Sequence, residues 1–484
     1  MPTVPLPENP NLEQLRHRAR DLQRAVRAGR PEVLRRLGLP GADADYRLSA
    51  AQLAVARGYG FASWARLRRH VDAINSRSWK PGPDDGSLLN TFVRLACVTY
   101  SGNDVNASAQ PVRSAPAARL LAAHPDLPTA ELAAAAVTAD VEALRQHLSQ
   151  RRGAAQQGCP PFGWSPLMYL TYSRLQVSDA AATTSVQLLL DAGADPDDGR
   201  FFAGLPTPFT VLTGAFGGGE SDQAPRRHAI LLARALLAAG ADPNDGQTLY
   251  NRMFTLNDDF LELLFQFGLG RGDGGPWRAL LPDLIPDPAT QLRRLLEWAV
   301  GHDQRARVAL LAQHGVDLLG PLPGGITPMK LALTNGHLDL VELLRSLGAP
   351  LPVLDPVDAF VAAALGGDTA AVTATAPAVI AAAQAARPAL IGWAAAQQRL
   401  DAIGPLVAVG FDIDALGRSD LPVEQPWQTA LHTAVERGDL ALVRELLELG
   451  ADPTVRDRRF DGTPADWADH LGRPAISALL RGTR

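Results

Sequence analysis

Leu12, Leu15, Ala19, Leu22 and Val26 fall three or four residues apart, the spacing that lines one face of an α-helix with apolar side chains. Leu53, Val55 and Ala56 continue this pattern after Ser49 and Gln52, a pair spaced as a helix-starting capping box. The Gly58–Trp64 stretch interrupts it before Leu67, Val71 and Ile74 take it up again. These positions predict a small helical module over residues 1–80. A linker and a joining helix at Leu88–Tyr100 follow within 81–114. Farther along, apolar runs end repeatedly in glycine, a small residue and aspartate, as at Val186–Pro196, Ala235–Asn244 and Val443–Pro453. Each reads as the last turns of an amphipathic helix, with glycine in the left-handed conformation and proline barring continuation.

Looser copies surround Gly268, Gly315, Gly348 and Gly410, and Gly315 and Gly348 are 33 residues apart. Several units open with a hydroxyl residue able to cap a new helix, often followed by proline at the first helical position: Ser165, Thr207, Thr327, Thr429 and Thr463. The unit is therefore turn, helix, tight turn, helix. The stretch Thr429–Pro453 resembles the ankyrin-repeat consensus closely, and Thr327–Ala349 follows it next best. Degenerate copies are expected at Ala130–Gly158, Gly246–Gly268, Thr290–Gly320, Asp358–Ile380 and Arg387–Gly417. The resemblance implies an all-α ankyrin-repeat solenoid of about 9–10 units over 115–484, preceded by the helical module. Tyr59, Phe61 and Trp64 resemble the helical leader that precedes ankyrin repeats in some bacterial proteins.

Charge alters this picture at the N-terminus. The chain carries a net −5, yet residues 11–74 hold 13 arginines against 6 acidic residues. A basic segment can contact phosphates, so nucleic acid is the alternative partner through residues 11–74. Without a recognition-helix signature, a solvated face that also attracts the acidic solenoid is the better account of it. Lysine occurs only at Lys80 and Lys330, a bias that fits a GC-rich bacterial genome. Two cysteines, Cys97 and Cys159, give no disulfide framework or thiolate cluster and point to a reducing compartment. Met1–Asn11 lacks the apolar core of an export signal, and no apolar run reaches the length of a membrane span. A cytoplasmic protein with no membrane partner is the expectation.

Candidate chemistry is sparse. Gly270–Gly275 fits a dinucleotide fingerprint only in form, since it follows the helix-like run Phe260–Phe267 and not a strand. Asp195, Asp242 and Asp452 supply one carboxylate per repeat, which suits turns better than calcium. Family resemblance implies that His432 ties neighbouring repeats by hydrogen bonds. No catalytic constellation, cofactor site or metal site is expected, and the reading is a non-catalytic protein-binding scaffold. Partners of such solenoids bind the concave side, made of hairpin tips and first-helix faces. Matching this sequence to the family pattern places Trp164, Gln247, Ile326, Trp427 and Gln428 at tips. The same matching puts Thr334, Asn335, Glu436 and Arg437 at first-helix ends. Insertions are expected near Tyr172–Thr184, Thr213–Arg227 and Gly268–Ala289, with Gly217–Asp222 the most flexible by composition. The stretch 268–290, with its glycines and prolines and no capped helix start, is the expected weak joint.

Overall fold

The computed structural model describes residues 6, 10–79, 82–100, 110–202, 207–218, 226–420 and 425–482. Of the glycine-rich insertion, Gly217 and Gly218 are among these, and the rest of Gly217–Asp222 lies outside the described residues. Helices make up 60% of the chain and strands 3%, so the fold is all-α and built of repeated helix pairs. Two compact units divide at Gln291 and Leu292. Among the described residues no single helix is long and apolar enough to cross a membrane.

In the first unit, helix Leu12–Arg27 buries Leu15, Ala19, Leu22 and Val26, the expected stripe. Asn11 caps it, accepting the N–H of Glu13 and Gln14. Leu48–Gly58 and Trp64–Arg77 complete the leading helices. Ser49 does not cap Leu48–Gly58: the helix begins one residue earlier, after Arg47, and the hydroxyl lies inside its first turn. Strand Ser78–Trp79 pairs in parallel with Phe201–Phe202, and Gly199–Arg200 pairs antiparallel with Phe209–Thr210. This small sheet was not legible in the sequence. It also relocates one cap, because Thr207 precedes the strand and Thr210 starts helix Val211–Phe216 with a full capping box.

Helix pairs then stack as expected: Leu132–Thr138 with Val141–Gln150, Pro166–Tyr172 with Asp179–Asp191, Val211–Phe216 with Ala229–Ala238, and Gly246–Met253 with Asp259–Gln266. First helices pack on first helices and second on second, which joins the apolar stripes of successive pairs into one core. The end of the second insertion is pinned by Arg226, whose guanidinium donates to the carbonyls of Thr171 at 2.6 Å, Ser173 at 2.8 Å and Gly214 at 3.1 Å.

The second unit contains the pairs Pro328–Asn335 with Leu338–Ser346, Pro356–Leu365 with Thr369–Ala374, and Leu390–Ala396 with Leu400–Ala408. Ala430–Arg437 with Leu440–Glu448 and Pro464–His470 with Pro474–Gly482 follow. An additional helix, Pro377–Ala386, lies between the second and third of these, so the expected copy Asp358–Ile380 ends inside a helix. One apolar core runs from Phe360 to Leu480 through Leu390, Ile403, Leu431, Val443 and Leu446. Gly336 and Gly438 end their first helices at φ of 76° and 71°, a left-handed conformation that glycine adopts without strain.

Candidate binding surface

The nine residues expected at tips and first-helix ends separate sharply by burial. Trp164 is wholly enclosed, so it offers nothing to a partner. Its hairpin is real, with the Cys159 N–H donating to the Trp164 carbonyl at 2.9 Å, but the ring packs against Trp79 at 5.0 Å, Tyr172 at 5.5 Å and Phe202 at 5.7 Å. Trp79 reaches it through the strand pairing that local periodicity does not show. Gln247 is likewise buried: it sits inside the first turn of Gly246–Met253 rather than at a tip, and its amide donates to Asn251 Oδ1 at 2.7 Å. Thr334 and Asn335 are also buried, the hydroxyl donating to the Lys330 carbonyl at 2.9 Å and the Asn335 carbonyl accepting Trp393 Nε1 at 3.2 Å. Ile326 closes a tight tip, its carbonyl accepting the Leu322 N–H at 2.8 Å, and remains half-buried.

The last four candidates come together in one repeat. Thr429 caps Ala430–Arg437, and His432 Nδ1 lies 2.8 Å from its hydroxyl while Nε2 lies 3.0 Å from the Gly462 carbonyl. Only a carbonyl acceptor faces Nε2, so that nitrogen carries the proton and His432 bonds the following repeat, as the resemblance implies. Burial holds its pKa below the usual histidine range. Gln428 exchanges backbone hydrogen bonds with Gly417 at 2.8 and 3.0 Å. Its buried amide nitrogen lies 3.2 Å from both Thr433 Oγ1 and Glu436 Oε2. Gln428 therefore braces the tip against the exposed end of the first helix, where Glu436 and Arg437 stand, the latter donating to the Ala396 carbonyl at 3.1 Å.

Trp427 is half-buried between repeats. Its carbonyl accepts the Arg458 N–H at 2.8 Å, and its ring carries the Arg418 guanidinium at 3.9 Å and that of Arg459 at 5.1 Å. Arg418 is fully engaged, donating Nε to Asp420 Oδ1 at 2.8 Å and Nη1 to Gln425 Oε1 at 3.0 Å, and Nη2 contacts the second carboxylate oxygen. That guanidinium holds the Asp420 carboxyl below its ordinary pKa. The neighbouring tip is organised by buried Asp457, whose carboxylate accepts the N–H groups of Arg459 at 2.7 Å, Phe460 at 2.6 Å and Gly462 at 2.8 Å, together with Trp467 Nε1 at 2.9 Å. Burial pushes that carboxyl up, but the hydrogen bonds outweigh it and the pKa falls.

Arg418, Asp457, Arg459 and Phe460 were not among the sequence candidates. The available signal was positional: Asp461 stands two residues before Thr463, as Trp427 stands two before Thr429, so the run Arg458-Arg459-Phe460 approaches a tip.

Elsewhere, part of the basic charge of residues 11–74 is met within the unit, where Arg66 pairs with Asp283 at 3.2 Å. Just beyond that stretch, Arg77 lies 3.5 Å from Asp198. Cys97 and Cys159 are buried, which pushes each thiol up to about 12. Among the described residues no group of three or more His, Cys, Asp or Glu side chains could hold a metal ion. A family model described as Ankyrin repeat matches residues 427–458, the span containing Trp427, the His432 tie and Glu436. No curated protein matches the chain significantly.

Proposed function

We propose that this protein is a non-catalytic scaffold that binds a protein partner through the tip and first-helix face of its C-terminal repeats. The observation that carries the reading is the presence of half-buried Trp427 at the tip and of exposed Glu436 and Arg437 at the first-helix end within the segment matched as an ankyrin repeat. Ankyrin repeats serve protein–protein interaction, and tryptophan and arginine are the residue types on which interface binding energy concentrates. The bracing of Gln428 against Glu436 and Thr433 fixes this edge before any partner arrives, which lowers the ordering cost of binding. Two free cysteines and the near-absence of lysine support a bacterial, cytoplasmic setting for it.

A photo-crosslinking amino acid placed at Arg437, compared with one at Glu448 on the second helix, tests this in cells. Discrete protein adducts are expected from position 437 and not from 448. Adducts of equal identity and yield from both positions would discard the first-helix face as the binding surface.

A further inference from the structure

We infer that the tip formed by Trp427, Arg458, Arg459 and Phe460 recognises an acidic peptide segment in which carboxylates flank an aromatic side chain. The inference rests on the scaffold reading above and specifies the chemistry of the partner. Arg418 and Arg459 share the Trp427 ring, Arg456 and Arg458 lie on the same segment as Arg459, and two of the four are occupied. Arg418 is taken up by Asp420 and Gln425. Arg456 donates to the Asp461 carbonyl and lies 3.9 Å from its carboxylate. Among the described residues Arg458 and Arg459 have no side-chain hydrogen bond or ion pair, and both are exposed.

Arg459 is also held in place. Its guanidinium carbon stands 5.1 Å from the Trp427 ring and 5.1 Å from the Phe460 ring, and its backbone N–H is fixed by Asp457. A guanidinium stacked on aromatic rings keeps its planar donor edge free for a carboxylate and has already lost much of its rotamer freedom. Phe460 is 65% exposed, an unusual position for a phenylalanine, and stands beside the Arg459 guanidinium. Two guanidiniums with no partner among the described residues, one of them between an exposed ring and a half-buried ring, complement two carboxylates and an apolar side chain between them. Among the described acids nearby, Asp420 is engaged by Arg418, Asp461 lies 3.9 Å from Arg456, and Asp457 is turned inward on N–H donors. A polynucleotide fits less well, because its affinity comes from neutralising several phosphates at once and two free cations offer little of that.

The test uses the full chain and a fluorescein-labelled Glu-Glu-Phe-Glu-Glu peptide with blocked termini, read by fluorescence anisotropy at low salt. Binding is expected. It should weaken as salt rises, fall by at least about tenfold in the Arg458→Glu, Arg459→Glu double variant, and stay unchanged in Arg444→Glu on the second helix. Arg459→Lys keeps the charge without the planar stack and should fall between wild type and the double variant. Circular dichroism of each variant controls for folding. No binding by the wild-type chain, or equal binding by the folded double variant, overturns the inference, as does tighter binding of an oligothymidylate through the same arginines. If crosslinking from position 437 succeeds while the peptide fails to bind, the acidic chemistry is wrong and the scaffold reading stands. Peptide binding without adducts from 437 gives the reverse.

Discussion

His228 and Asp197 lie in the same unit and answer to pH with opposite sign. His228 is buried; desolvation, reinforced by Arg226, takes its pKa from 6.5 to about 4. The folded chain therefore refuses a proton that the unfolded chain accepts. Its contribution to stability is complete above 6.5 and is lost as pH falls toward 4. Asp197 is raised from 3.8 to about 6, chiefly by burial, so the folded form takes its proton first and gains stability as pH falls through that interval. The two effects offset each other in the wild-type chain, and a single substitution separates them. His228→Gln cannot titrate, so its stability relative to wild type should improve by about 1–2 kcal/mol between about pH 7.5 and pH 5. Urea denaturation of both chains at the two pH values measures this, and a constant difference would show that His228 is not desolvated in the folded state.

Successive helix pairs are tied by a contact that recurs at three junctions. The side chain four residues after a repeat's glycine accepts the backbone N–H two residues after the next one. Asp197 accepts from Asp242 at 2.8 Å, Asn244 from Gly270 at 2.8 Å, and Asp414 from Asp452 at 3.0 Å. The turn role read for Asp195, Asp242 and Asp452 holds, since each carboxylate accepts the N–H two residues on. Such bonds were legible because they are local, as was the stripe of Leu12–Arg27. The ties between repeats were not, because their partners are 45, 26 and 38 residues apart and no fixed period aligns them. The same limit hid the aromatic packing around Trp164 and the stacking of Arg459 on Trp427, whereas the His432 tie was accessible through the near-consensus spelling of its repeat. At the Asn244 junction the amide also donates to the Arg271 carbonyl at 3.0 Å, so both ends of this side chain hold the glycine-rich loop. Asn244→Ala should cost about 1–2 kcal/mol and raise exchange of the Gly270 amide by about tenfold, leaving the Asp452 amide unaffected. Unchanged exchange at Gly270 would remove the tie from the account of stability.

A solenoid held only by nearest-neighbour contacts opens at its weakest repeat, which is why 268–290 was the expected joint. The structure gives that stretch additional anchors from distant parts of the first unit. Leu281 and Ile285 are buried with Ala73 of the leading helices and Phe201 of the small sheet. Trp277 donates Nε1 to the Asp197 carbonyl at 2.8 Å, meets Phe201 edge-on at 5.7 Å and lies under the Arg77 guanidinium at 5.6 Å. Opening 275–285 therefore means breaking contacts with residues 66–79 and 197–202 together, and the N-terminal helices act as a clamp on it. Removing a buried or half-buried tryptophan of this kind costs roughly 3–5 kcal/mol when fully enclosed and less here, where the ring keeps some exposure. Under native conditions trypsin should leave the Arg278 bond of the wild-type chain intact well after cutting exposed loops. In Trp277→Ala the bonds at Arg278 and at Arg77 should become sensitive at the same time, because the clamp and the segment beneath it release as one. Mass mapping of a proteolysis time course follows both sites. If the wild-type chain is cut first at Arg278, or if the variant exposes Arg278 while Arg77 stays protected, the two segments open separately and the weak joint lies where local composition alone would put it.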